Sequence, residues 1–170
     1  MLLGALPPDD PQAVSTLQQV EERLWARTDV GGLARYHDDH YQQMERHDLS
    51  RVPGNPWFVC TMWLACYRLQ RAQTAEDLVP GLKLLEWASE RALPSGTMAE
   101  QLHPYTGEPL SVSPLTWSHA EYVRAVQEYI QRHSRVNLCP CCAQPVREAD
   151  PSSDGTLAGA DRNPSEAVAF

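Results

Sequence analysis

The chain has 170 residues, enough for one domain of ordinary size, of which 42% are hydrophobic and 21% charged. It carries 14 Lys and Arg against 22 Asp and Glu, a formal charge of −8, which disfavours nucleic acid as a partner. The longest apolar run, Pro56 to Cys66, is shorter than the roughly 18 residues of a membrane span, and the N-terminus lacks the basic start of a signal peptide. We therefore expect a cytoplasmic protein with no nucleic-acid or membrane partner.

Residues 1–133 carry the periodicity of helices. The first helix is predicted from Pro11 with Asp10 as its N-cap, because Asp caps helices well and Pro fits the first helical position. Its apolar residues recur at three- and four-residue spacing and form one stripe: Val14, Leu17, Val20 and Leu24. Residues 32–55 show little periodicity, which predicts a long polar loop, and such loops are usually functional or disordered.

The second helix is predicted from Pro56, capped by Asn55, to about Arg71. It has no polar face, and its aromatic residues are predicted to be core: Trp57, Phe58 and Trp63. A helix that is apolar all round is buried on all sides. We therefore expect it to need cover that this chain scarcely supplies, and an exposed apolar patch of this kind indicates a missing partner.

Two more helices complete the predicted set. The third spans residues 74–92 and opens with a Thr-x-x-Asp capping signal. Pro80 conflicts with a straight helix at this place, so we expect a kink or a later start. A second polar loop follows over residues 96–113, and the fourth helix then runs from residue 113 to about residue 133.

The composition changes after residue 133. Residues 134–170 are rich in Pro, Ser, Asp, Gly and Ala, which predicts a tail that is mostly disordered. Cys139 and Cys142 have the Cys-x-x-Cys spacing of one zinc knuckle, but a structural zinc site takes four ligands and no second knuckle follows. We therefore expect no metal site, and the role of Cys141 and its two neighbours stays open. The two cysteines of the second helix are interpreted as small apolar residues: Cys60 and Cys66.

Two polar loops combine carboxylates with aromatic and hydrogen-bonding residues beside a buried helix. The first contains Arg35, Tyr36, Asp38, Asp39 and Tyr41. The second contains Glu100, Gln101, His103 and Tyr105, with Trp117 shortly after it. Aromatic rings pack on the C–H faces of sugars, and charged or amide groups bind their hydroxyls. A carboxylate in such a cleft can act as general acid or base, although an ordinary polar surface between helices has the same composition.

Four ordered segments resemble one enzyme family. They are LPPDDP (Leu6–Pro11), GGLARYHDDHY (Gly31–Tyr41), GNPWFVCTMWLA (Gly54–Ala65) and SGTMAEQLHPYTGEPLSVSPLTWSHAEYV (Ser95–Val123). Together they resemble the C-terminal portion of the family 15 glycoside hydrolases, the glucoamylase-type enzymes. The resemblance extends from about residue 5 to about residue 132, and the order and spacing of four segments make it more specific than any one of them.

The resemblance implies an all-α fold that is part of an (α/α)6 barrel, in which six inner helices lie within six outer ones. Residues 1–133 then supply about four of these helices, and residues 134–170 form the Cys-containing tail. The implied reaction is inverting hydrolysis of α-glucosidic bonds in maltodextrin-like substrates. Such enzymes use two carboxylates roughly 6.5–9.5 Å apart, so that a water fits between the base and the anomeric carbon. No cofactor is implied.

The same resemblance implies roles for five residues. Glu100 corresponds to the general base, and Arg35 to the arginine that binds sugar hydroxyls. Asp39 corresponds to an acidic partner at the same wall, and Tyr41 and Trp117 to aromatic residues that line the cleft. Each role has a plain alternative: a solvated loop glutamate, a surface salt bridge, a loop-capping aspartate, and two core aromatic residues.

The general acid of the family has no counterpart in this sequence. We therefore expect the isolated chain to be inactive, because the glycosidic oxygen would stay unprotonated. The substrate partner would be an α-glucan or oligosaccharide, and an upstream polypeptide could supply the rest of the barrel. The alternative function is a non-catalytic helical module that binds carbohydrate or completes a barrel.

Overall fold

A computed structural model of the chain describes residues 5–137. Within that range the order of elements is α1 (Pro11–Leu24), α2 (Phe58–Arg71), α3 (Ala75–Arg91), β1 (Gln101–Leu102), β2 (Pro109–Leu110) and α4 (Thr116–Val136). The prediction of an all-α fold with four helices is confirmed. The short antiparallel pair β1–β2, with Gln101 opposite Leu110, was not predicted.

The predicted tail lies outside the described residues from position 138 onward, and with it lie Cys139, Cys141 and Cys142. Helix α4 continues to Val136, three residues past the boundary that the change in composition indicated. Among the described helices, none combines the length and the hydropathy that a membrane crossing requires.

Helix α1 begins where the sequence predicted. The Asp10 side chain accepts a hydrogen bond of 2.8 Å from the backbone N–H of Gln12, and Pro11 occupies the first helical position. Three of the four residues of its apolar stripe are partly buried and pack against the main core: Leu17, Val20 and Leu24.

Helix α2 begins two residues later than predicted, and Asn55 is not its cap. Trp57 is the N-cap residue and has extended backbone angles, because its N–H donates to the carbonyl of Leu33 at 2.8 Å. Pro56 pairs with Ala34 in an antiparallel bridge. The two residues before the helix therefore belong to a strand-like connection, which frees the Asn55 side chain for other partners.

The expectation that α2 lacks cover within this chain is wrong. Nine of its fourteen residues are buried, because α3 and α4 pack on it and the loop before it folds over its start. Phe58 and Met62 are completely buried at the centre of the core. The exposed large apolar side chains lie on other elements, and on α4 they are Trp117, Val123 and Ile130.

Helix α3 runs through Pro80 without interruption, so the later start is not observed. Its N-terminus is fixed by a capping box between Thr74 and Asp77, which outweighs the missing N–H of the proline. The next residue, Gly81, allows α3 to approach α2 closely. A Cβ at Gly81 would lie 2.5 Å from Cγ and Cδ2 of the buried Leu69.

Candidate active site

Three extended segments meet at the start of α2 and position the predicted site residues. Ala34 forms a bridge with Pro56, and Trp57 forms a bridge with Gln101. The N–H of Leu102 also donates to the carbonyl of Pro56 at 2.9 Å. These pairings therefore bring Arg35 and Glu100, which are distant in the sequence, to neighbouring strands.

Arg35 and Asp39 form a bidentate ion pair. Arg35 Nε donates to Asp39 Oδ2 at 3.0 Å, and Arg35 Nη2 donates to Asp39 Oδ1 at 3.1 Å. The Asp39 side chain is only 2% exposed and also accepts from the backbone N–H of Tyr41 at 3.0 Å. The hydrogen bond to Asp39 raises the pKa of Arg35. The two predicted residues thus lie together, with the arginine on the solvent side of the pair.

Three aromatic rings surround the Arg35 guanidinium. Its central carbon lies 4.6 Å from the ring centroid of Trp57, 4.9 Å from that of Tyr36 and 5.3 Å from that of Tyr41. Such cation–π contacts hold an arginine in one orientation. Trp57 is buried as predicted, yet it is also part of this wall, which the interpretation as a core residue missed.

Glu100 lies in the first part of the second polar loop, directly before β1. Its Oε2 accepts hydrogen bonds from Ser111 Oγ and, at 3.2 Å, from Gln101 Nε2. Ser111 Oγ is in turn 3.5 Å from the Tyr41 hydroxyl. Tyr41 therefore connects the predicted base to the Arg35 side of the cluster, through a residue that the sequence did not single out.

Ser111 has a backbone φ of 62°, in the left-handed region. A residue other than glycine loses roughly 1–2 kcal/mol there, and such outliers concentrate at functional sites. The strained turn lets this side chain reach the Glu100 carboxylate. A serine eleven residues after the glutamate carries no sequence signal of its own, so only the geometry reveals it.

Trp117 lies in the first turn of α4 and is half-exposed, so it is not a core residue. Its ring meets Trp63 of α2 edge-on, with centroids 5.7 Å apart. Its Nε1 donates to Glu121 Oε1 at 3.2 Å. Trp63, predicted as core, is only partly buried and forms an aromatic pair with it. The assignment of Trp117 to the cleft stays a prediction.

Cys60 lies on α2 near the charges of Arg35 and Asp39. Burial raises the pKa of its thiol to about 12, which outweighs the opposite effect of the arginine. The thiol is therefore neutral at physiological pH and behaves as the small apolar residue that the sequence predicted. Within residues 5–137, no group of three or more His, Cys, Asp and Glu side chains is arranged to hold a metal ion.

The first polar loop also contains a buried histidine, His47. Both of its ring nitrogens lack a hydrogen-bond partner within the described residues, and its ring meets Tyr105 edge-on. Burial lowers the pKa of His47 below 6.5, an effect that the nearby His103 and His40 reinforce and Glu45 opposes. The folded loop thus favours the neutral imidazole.

The stability of the loop is therefore expected to depend on pH through His47. Because the pKa of His47 is lower in the folded state, protonation favours unfolding, and stability is lost as the pH falls below about 6.5. Urea unfolding of a His47→Phe variant between about pH 7 and pH 5 should show a smaller loss than the unsubstituted chain. Substitution of the exposed His40 is the control. It should change the pH dependence of stability in the opposite direction, because Gln43 and Asp38 raise the pKa of His40. An unchanged pH dependence in His47→Phe would contradict this assignment.

Comparisons with known proteins find similar sequences. A family model described as Glycosyl hydrolases family 15 matches residues 83–127, which include Glu100, Ser111 and Trp117. A glucoamylase from Clostridium sp. (strain G0005) is 34% identical over 126 residues, covering 71% of this chain and 17% of that protein. An uncharacterized glycosyl hydrolase from Methanocaldococcus jannaschii is 31% identical over 129 residues, covering 71% of this chain and 19% of that protein.

A solved structure shares the fold. The crystal structure of a bacterial glucoamylase complexed with acarbose superimposes with a TM-score of 0.63 and 28% identity, covering 76% of this chain and 19% of that one. The four helices of this chain thus correspond to part of an (α/α)6 barrel. The chain spans less than a fifth of the length of the relatives that it matches.

Proposed function

We propose that the chain is part of a domain of the glycosyl hydrolases family 15 type and supplies the general-base side of an inverting α-glucosidase site, because a family model of that description matches residues 83–127 and a bacterial glucoamylase shares its fold. The similarity to a glucoamylase and to the family model supports a role in glycoside hydrolysis. One observation carries the finer assignment. Glu100 and Arg35 are 65 positions apart in the sequence. In the fold, contacts of Tyr41 and Ser111 connect Glu100 to the Arg35–Asp39 pair.

Glu100 would act as the base. Its carboxylate takes the proton from a water molecule as that water attacks the anomeric carbon, while an acid supplied by another part of the barrel protonates the leaving oxygen. Ser111 and Gln101 both donate to the same oxygen, Oε2. The other oxygen, Oε1, accepts no hydrogen bond within the described part of the chain, so it can bind the attacking water. This free oxygen supports the assignment of Glu100 as the base.

Arg35 would bind the substrate. It uses Nε and Nη2 for Asp39, so that Nη1 has no hydrogen-bond partner in residues 5–137. The side chain is 38% exposed, and the aromatic rings around it restrict its movement. Nη1 can therefore donate to a sugar hydroxyl at little entropic cost, and the ring of Tyr41 can pack on the sugar face.

The test is the anomer that the reaction releases. Residues 5–137 would replace the matched segment of the Clostridium glucoamylase, and maltooligosaccharide hydrolysis by the chimera would be followed by proton NMR. Initial release of β-glucose from the α-linked substrate supports an inverting site. Release of α-glucose would overturn the proposal. The isolated chain should release no glucose above background.

A non-catalytic, barrel-completing module is the second candidate. The half-exposed apolar residues along α4, Trp117, Val123 and Ile130, favour it, because they form a surface suited to neighbouring helices. A chimera that folds and binds acarbose but cleaves no glucoside would favour this alternative.

A further inference from the structure

Asn55 lies behind Glu100 and is almost completely buried. It does not cap α2, and the predicted chemistry gives it no role. We propose that Asn55 is a positioning residue: through Gln101 it sets the direction of a hydrogen bond that Glu100 receives. We call the hydrogen bonds from Asn55 through Gln101 to Glu100 the relay. Its effect on catalysis rests on the proposed role of Glu100 as base, whereas its existence depends only on the positions of these three side chains.

The orientation of the Asn55 amide is fixed by the backbone. Its Nδ2 lies 3.0 Å from the carbonyl oxygen of Gln42 and 3.4 Å from that of Tyr41. Backbone carbonyls only accept hydrogen bonds, so the nitrogen and not the oxygen of Asn55 must face them. A flipped amide would place oxygen against oxygen, and the assignment of the two amide atoms is thereby settled.

The orientation of Gln101 follows from that of Asn55. Gln101 Oε1 accepts from Asn55 Nδ2 at 2.9 Å. Because the oxygen of the Gln101 amide is committed to Asn55, its nitrogen points the other way, where Nε2 lies 3.2 Å from Glu100 Oε2. Both amides are buried, so water does not compete for these bonds.

The unpaired oxygen of the Asn55 amide indicates that this position requires the hydrogen bonds donated by the amide nitrogen. Its Oδ1 is buried without a partner in the described residues, which is unfavourable for folding. An apolar side chain would avoid that penalty but would leave Gln101 free to rotate. The relay also joins the backbone at Tyr41, on the substrate-binding side, to the carboxylate of Glu100.

The relay can be tested by NMR on the full chain with isotope-labelled side chains. We expect the Asn55→Ala substitution to speed hydrogen exchange of the Gln101 side-chain amide by about tenfold or more and to change the ¹³C shift of the Glu100 carboxylate. Gln101→Met should change the same carboxylate shift. If Asn55 acts through Gln101, adding Asn55→Ala to Gln101→Met should change it no further.

Several outcomes would overturn the proposal. One is an Asn55→Ala variant with wild-type Gln101 exchange and Glu100 shift, and another is additive shifts in the double variant. If Asn55→Ala does not fold, nuclear Overhauser effects in the unsubstituted chain give the orientation of the Gln101 amide. Contacts of its amide protons with Glu100 support the relay. Contacts of these protons with Asn55 instead refute it. Gln19→Ala on exposed α1 is the control, and it should leave the Glu100 signal unchanged.

The catalytic meaning has a separate readout. In the glucoamylase chimera, Asn55→Ala should lower kcat about tenfold and change KM much less, because its main effect is on the base. A chimera that is inactive with or without Asn55 would refute the proposed function, yet the NMR signals would still report whether the relay exists.

Discussion

Glu100→Gln is expected to lower the rate of α-glucoside hydrolysis by the chimera about 10²–10⁴-fold, the usual contribution of a general base. Glutamine preserves the size of the side chain and can still accept from Ser111 and Gln101, but it cannot take a proton from water. Initial rates of glucose release from maltooligosaccharides measure the effect, which should fall mainly on kcat.

Glu108 provides the matched control for this measurement. It lies on the turn of the β1–β2 hairpin and accepts a hydrogen bond from the Thr106 hydroxyl at 3.4 Å. Glu108→Gln makes the same chemical change at an exposed position of the same loop and should leave the rate unchanged. A nearly normal rate in Glu100→Gln would assign the base to another residue.

Arg35→Met is expected to reduce the free energy of unfolding by about 1–3 kcal/mol, the cost of leaving a buried hydrogen-bonding group without its partner. Asp39 is 2% exposed and would keep only the N–H of Tyr41 as a donor. Methionine retains much of the apolar contact with Trp57, so the loss reports the charge. Urea unfolding followed by tryptophan fluorescence measures it.

The double variant Arg35→Met, Asp39→Asn separates the charge from the packing. Asparagine removes the unpaired buried charge and can still accept from the Tyr41 N–H, so most of the lost stability should return. If the double variant is as unstable as Arg35→Met, the loss comes from packing around Trp57 and not from Asp39. Either variant should abolish sugar binding that depends on Arg35.

The helices could be predicted because their signals are local. Asp10 and Pro11 mark the start of α1, and the capping box marks α3 despite Pro80. The start of α2 could not be predicted, because its first residues pair with Leu33 and Gln101, which are distant in sequence. An Asn-Pro pair indicates a helix start when read alone, and tertiary pairing overrides it here.

The site could be predicted in part for the same reason. The pairing of Arg35 with Asp39 is local, at four positions' separation. Ser111 and Asn55 reach Glu100 only through the folded arrangement of two loops, and neither residue type indicates a role there. Trp57 was assigned to the core because apolar helices bury aromatic residues, yet its position before the helix places its ring under Arg35.

The bridges at the start of α2 have a consequence for how such a site can be transplanted. They join residues 34, 56, 57 and 101, so Arg35 and Glu100 are held on neighbouring strands by pairings between three segments of this chain. The relative placement of these two side chains is thus set by pairings within residues 34–101. A transplanted segment that contains all three bridging strands should therefore keep Arg35 and Glu100 aligned with each other.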